Sequence, residues 1–230
     1  MSLFSTIETE CPACGVTSRY ELAFSVNADR RPELRAQMLH RTFQRLTCPA
    51  CGQLFRIEPQ FTYIHAAGHQ FLTVWPADDL PRWPEQEARA VKTFNRFWGA
   101  EADPVAAQIG SELVHRVAFG WEAAHEKIVV VEAGIDDVSL ELAKLALLRT
   151  QDDIPIGESA LRLVGIDADN NLVLGLFKGA DEHVLEQYLV PRALLSEIEA
   201  DAEAWAPLRE QLSEGPFVDI QRLLTVPVAA

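Results

Sequence analysis

The chain has 230 residues, 48% of them hydrophobic and 23% charged, with a net charge of −14. That length suits one large domain or a small module joined to a medium one, and the composition is that of a folded globular protein. The acidity argues against nucleic-acid binding, which draws its affinity from Lys and Arg, and no stretch reaches the roughly 18 consecutive apolar residues of a membrane span.

The charge is uneven. Residues 1–60 hold seven arginines against six Asp and Glu, 61–150 hold eight basic and thirteen acidic side chains, and 151–230 hold five and fifteen. The first residues, Met1-Ser2-Leu3-Phe4-Ser5-Thr6, contain neither a basic nor an apolar export region, so the expected location is the cytoplasm.

The strand-like Ile7-Glu8-Thr9 leads into Cys11-Pro12-Ala13-Cys14-Gly15. Residues 18–26 then read as a strand and residues 32–40 as a short helix with Pro32 in its first turn. Residues 42–47 and 53–58 read as strands flanking a second knuckle, Cys48-Pro49-Ala50-Cys51-Gly52. A Cys-x-x-Cys turn points both sulfurs at one centre. The Pro fixes φ after the first ligand, and the Gly admits the left-handed conformation after the second. Two such turns supply the Cys₄ set of a closed structural zinc site, so Cys11, Cys14, Cys48 and Cys51 are the expected Zn²⁺ ligands. The rivals are a redox pair, which belongs once and at a helix start, a pair of disulfides, and another thiophilic metal such as iron.

Between the knuckles lie Ser25-Val26-Asn27 and Pro32-Glu33-Leu34-Arg35; beyond them come Glu126-Lys127-Ile128 and Gly134-Ile135-Asp136-Asp137. With the paired cysteines these resemble the CpXC domain family of bacteria and archaea, from about Cys11 to about Thr150 and more loosely after it. The resemblance implies metal-type cysteines. The family is functionally uncharacterised, so it brings no catalytic residue.

Residues 61–64 and 70–75 bracket Ala66-Ala67-Gly68 as a hairpin. The Pro- and Asp-rich residues 77–84 form a connector. It divides the chain into a Cys₄ zinc-binding, β-rich, zinc-ribbon-like module, 1–76, and an acidic α+β domain, 84–230. Residues 85–98 place Ala88, Val91, Phe94 and Trp98 at helical spacing, and residues 105–150 read as two or three further helices. Asp136 and Asp137 suit a helix start. Residues 138–148 are apolar on most faces, which predicts burial or packing against a partner. Residues 161–166 and 172–177 form a hairpin around Asp167-Ala168-Asp169-Asn170-Asn171. Pro191 opens a helix with Leu194, Leu195, Ile198 and Ala202 on one face. The order of elements predicts an α+β fold.

Other motifs fall away on inspection. The 167–171 stretch begins like a calcium loop, but Leu172 stands where Gly is needed and Lys178 where Glu belongs. His125-Glu126 opens a metalloprotease pattern that Val129 breaks. His65 and His69 flank a turn rather than share a helix face, and the five tryptophans are dispersed. The sequence therefore predicts a non-enzymatic zinc protein that binds another protein as an adaptor, with a homo-oligomer left open. One alternative is an enzyme with its pocket in the C-terminal body and a purely structural zinc. The other is nucleic-acid binding through Arg19, Arg30, Arg31, Arg35, Arg41, Arg45 and Arg56 on one face of the module.

Overall fold

In a computed structural model, residues 2–151, 154–155, 159–179 and 182–228 are described. The N-terminal region is β-rich. β1 (Leu3–Glu10) and β2 (Thr17–Asn27) form a long antiparallel hairpin, running from Leu3 opposite Ser25 to Glu10 opposite Thr17. Alternating side chains of β2 turn Ala23 and Val26 into the core.

β2 next pairs in parallel with β5 (Phe61–His65). A parallel pair needs a long crossover, and residues 28–60 supply it with α1 (Pro32–Leu39), β3 (Leu46–Thr47) and β4 (Leu54–Phe55). The strands expected over 42–47 and 53–58 thus shrink to two residues each. Arg41 and Gln44 take positive φ, 58° and 55°, which breaks extended backbone ahead of β3.

β5 and β6 (Gln70–Trp75) form the expected hairpin, turned by Ala66–Gly68 with His69 left-handed. The connector folds as a 3-10 turn, Ala77–Arg82, and leads into α2 (Trp83–Phe97) and α3 (Pro104–Ser111), the latter capped by Asp103. β7 (Val114–Phe119) then returns in parallel beside β6 and completes a five-stranded sheet ordered β1-β2-β5-β6-β7. The tract expected to be helical therefore contains a strand, and the sheet runs across the connector.

α4 (Gly120–Glu132) and α5 (Asp137–Thr150) follow. β8 (Ser159–Ile166), β9 (Leu172–Lys178) and β10 (Glu186–Val190) make an antiparallel meander. Its first turn is the 167–171 stretch, where Asp167 Oδ1 accepts the Asp169 and Asn171 N–H groups and Asn170 is left-handed. The helix expected after Pro191 divides at Asp201 into α6 (Ala193–Ala200) and α7 (Ala202–Leu212), and α8 (Gln221–Leu224) ends the described elements.

Packing places α4 at the centre. One side, through Trp121, Ala124 and Ile128, buries against Val26, Tyr63, Leu72 and Val74 of the large sheet together with Leu34 and Met38 of α1. The other side faces β8. α2 covers the opposite face of the large sheet, where Phe71 meets Phe94 and His115. A separate core joins α5, the meander, α6 and α7 through residues such as Leu140, Leu142, Leu163, Leu174 and Ile198. The chain is therefore mixed α/β, and the apolar 138–148 helix is covered by the chain's own elements. Among the described residues no helix is long and apolar enough to cross a membrane.

Candidate metal centre

The first knuckle is the turn of the β1–β2 hairpin, and the second is the turn between β3 and β4. The two are built alike. Cys11 N–H donates to Val16 O at 3.0 Å and Gly15 N–H to Cys11 O at 2.9 Å; Cys48 N–H donates to Gln53 O and Gly52 N–H to Cys48 O, both at 2.9 Å. Gly15 and Gly52 take φ of +71° and +74°, and a Cβ at either would meet nothing within 4 Å. Backbone conformation, not space, is what those two glycines supply. The hairpins are held side by side by an edge-to-face contact of Tyr20 and Phe55.

All four sulfurs lie within 4.8 Å of one another. Cys11 to Cys51 and Cys14 to Cys48 are each 3.7 Å, far beyond a bonded S–S length of about 2.05 Å. A tetrahedron with metal–sulfur bonds of about 2.3 Å has edges of about 3.8 Å, so the donor set fits such an ion in size and in type. Cys11 and Cys48 are buried, while Cys14 and Cys51 are exposed at the tip. Neither pair opens a helix.

The thiols are not equivalent. The Cys51 backbone N–H, followed by that of Ala50, holds the Cys48 thiol down to about 7 against the effect of burial. The Gln53 N–H works the same way on Cys51, but the neighbouring sulfurs of Cys14, Cys48 and Cys11 outweigh it and push that thiol up to about 12. Four thiolates at this spacing repel unless a cation stands between them.

Two further polar sites escaped the sequence. Between α4, α5, β8 and residues 217–221 lies a buried ionic network of four cations, Arg116, Lys127, Lys144 and Arg162, and four carboxylates, Glu126, Asp137, Glu141 and Asp219. Lys144 Nζ donates to Glu126 Oε1 at 2.7 Å and to both oxygens of Glu141 at 2.9 and 3.0 Å. Arg162 Nη1 donates to Asp219 Oδ2 at 2.6 Å, and Arg116 grips Asp137 with two bonds. Lys127 reaches Asp137 and Val218 O.

Burial pushes the Glu141 carboxyl up to about 7 against the pull of Lys144. Asp137, also buried, is nevertheless held well below the usual carboxylate range by Lys127 and Arg116. Asp136 instead caps α5, accepting the Ser139 N–H and hydroxyl. The adjacent acids thus divide between a helix start and the network. Glu126, from the broken metalloprotease pattern, and its neighbour Lys127 both lie in this network. Glu141 and Lys144, three apart in an apolar helix, were the one legible sign.

The second site is a cleft of about 170 Å³ where the start of α4 meets β8, β9 and the 77–80 turn. Glu58, Asp78 and Glu122 line it, and burial raises the carboxyls of Glu58 and Glu122. Trp121 anchors this corner: its indole N–H donates to Ile57 O at 2.9 Å, and the Arg56 guanidinium lies 3.8 Å from its ring. His65 and His69 are not brought together, His69 turning its Nδ1 to Glu112 O. Of the seven N-terminal arginines, six are in ion pairs or hydrogen bonds with carboxylates. Arg56 pairs with Glu182, Arg41 with Glu122, Arg35 with Glu132 and Arg19 with Glu8.

A family model described as CpXC protein matches residues 9–144. No curated protein and no solved structure matches the chain.

Proposed function

The chain belongs to the CpXC family, and we propose that Cys11, Cys14, Cys48 and Cys51 hold one structural zinc ion in a zinc-ribbon-like pair of knuckles. The observation that carries this reading is the closeness of the four sulfurs, all within 4.8 Å. Bound there, zinc supplies a tetrahedral cross-link with no open position for water or substrate, so its contribution is to folding. It ties the β1–β2 hairpin to the crossover that carries β3 and β4. Protein purified without chelator should contain about one zinc per chain by elemental analysis. Iron, or folded protein with four titratable thiols and no metal, overturns the reading.

We read the protein as a cytoplasmic, non-enzymatic adaptor in which the module 1–76 braces an acidic domain, 84–230, that meets a protein partner. Its support is the acidity of residues 151–230, which disfavours nucleic acid. The 138–148 helix lends it none, being covered by this chain's own core. A second reading, an enzyme with its pocket beyond the zinc module, draws on the α4 cleft, where two carboxyls are raised by burial. Turnover in a broad hydrolase and transferase screen favours the second reading. Its absence, together with a defined partner in co-purification from the native host, favours the first.

A further inference from the structure

The α4 cleft differs at its two ends. At the inner end are Arg162 and Gln221, only 5% and 6% exposed. Arg162 spends Nη1 on Asp219 and Glu126, and among the described residues its Nε and Nη2 have no acceptor. Gln221 accepts from Thr225 through Oε1, and among the described residues its Nε2 has no acceptor. Both residues line the cleft. Beside them stands the first turn of α4, which has no side-chain cap and begins at Gly120 with φ +82°. Free N–H groups at a helix start and unspent guanidinium and carboxamide donors together make a seat for a carboxylate.

At the outer end the charge reverses. Glu122 is answered by Arg41 at 2.6 Å, but Glu58 has only the Ala77 N–H, and Arg82 turns to Asp79 rather than Asp78. Among the described residues neither Glu58 nor Asp78 has an ion pair, the Arg56 charge reaching Glu58 only from beyond contact. A plain anion such as phosphate would be repelled by them, and a plain cation would leave the inner donors unmet. The 170 Å³ of space holds on the order of ten water-sized groups.

We propose that this cleft binds a small zwitterion of amino-acid size, its carboxylate toward α4, Arg162 and Gln221 and its ammonium toward Glu58 and Asp78. The inference is independent of the metal reading, since none of these residues touches the cysteines. The test uses the full chain as purified and a panel of free proteinogenic L-amino acids. Acetate, methylammonium and inorganic phosphate serve as single-charge controls, and binding is read by amide chemical shifts and calorimetry.

At least one amino acid should bind saturably, with resonances of residues 120–123 moving, and about tenfold tighter than acetate or methylammonium. Because changing Arg162 also disturbs the buried network, Glu58→Gln and Gln221→Leu carry the mutational arm. Each, shown folded by its amide spectrum, should weaken binding about tenfold. The proposal is overturned if no amino acid shifts these resonances at millimolar concentration, or if a single-charge control binds as tightly. Unchanged affinity in both folded variants overturns it as well.

Discussion

Replacing Lys144 by Met keeps an unbranched side chain one atom shorter and removes its charge from a site with no solvent exposure. Three hydrogen bonds disappear, and two buried carboxylates lose the cation between them. Glu126 keeps the Leu163 N–H and Arg162, and Glu141 keeps the Ile220 N–H and Lys127 at 3.6 Å. Breaking a buried pair from one side costs about 3–5 kcal/mol, against a total domain stability of about 5–15 kcal/mol.

The cost should depend on pH in a definite direction. Glu141 already titrates at about 7. Without Lys144 its folded pKa rises further, so the folded variant binds protons that the folded wild type has released. Its stability then falls faster as pH rises above 7. Urea unfolding should show a penalty about 2 kcal/mol larger near pH 9 than near pH 6. Adding Glu141→Gln, which keeps an acceptor for Ile220, should recover about half of the loss. A penalty under about 1 kcal/mol at pH 9, or a double variant less stable than the single, would refute the reasoning.

Cys48→Ser should loosen residues 9–58 first, seen as early proteolytic cuts before Trp83; survival of a fragment beyond Pro84 supports the two-part division, and digestion in one step refutes it, an outcome that the shared β6–β7 pairing makes a sharp contest. Burial holds His115 and His125 down to about 4, so the fold disfavours their protonation, and stability complete above about pH 6.5 is lost as pH falls toward 4. The loss is about 3 kcal/mol per histidine; Glu141 works in the opposite sense between about 7 and 4.5, and His115→Phe should remove about half of the histidine share, read from unfolding midpoints at pH 7 and 5. At moderate salt the chain should pass through a heparin column, and retention with a steep salt slope would contradict the partner reading.

What could be read from the sequence was local. The knuckles, the β5–β6 and β8–β9 hairpins and the Asp136 helix start each rest on residues within a few positions of one another. β7 was missed because Val114-His115-Arg116-Val117 lacks alternation, and only its parallel pairing with β6, forty-odd residues earlier, makes it a strand. Lys144 could be read only as a polar interruption of an apolar helix, since Glu126 lies 18 positions away. The cleft is assembled from six widely separated segments, and no periodicity marks such a set.

The network also sets a timetable for the growing chain. Glu126 is made long before Asp219 and Val218, which close the network around Arg162 and Lys127. At about 5–20 residues per second, the 93 positions from Glu126 to Asp219 take about 5–20 s to synthesise. Throughout that interval α4 carries charges whose burial is not yet balanced. The large sheet can pair its strands earlier, but the centre of the molecule must stay hydrated until the final segment arrives. A product ending before Val218 would keep every cysteine and still lack the groups that let Lys127 and Arg162 go inside. Quality control would meet it as an open chain with its cysteine knuckles already formed.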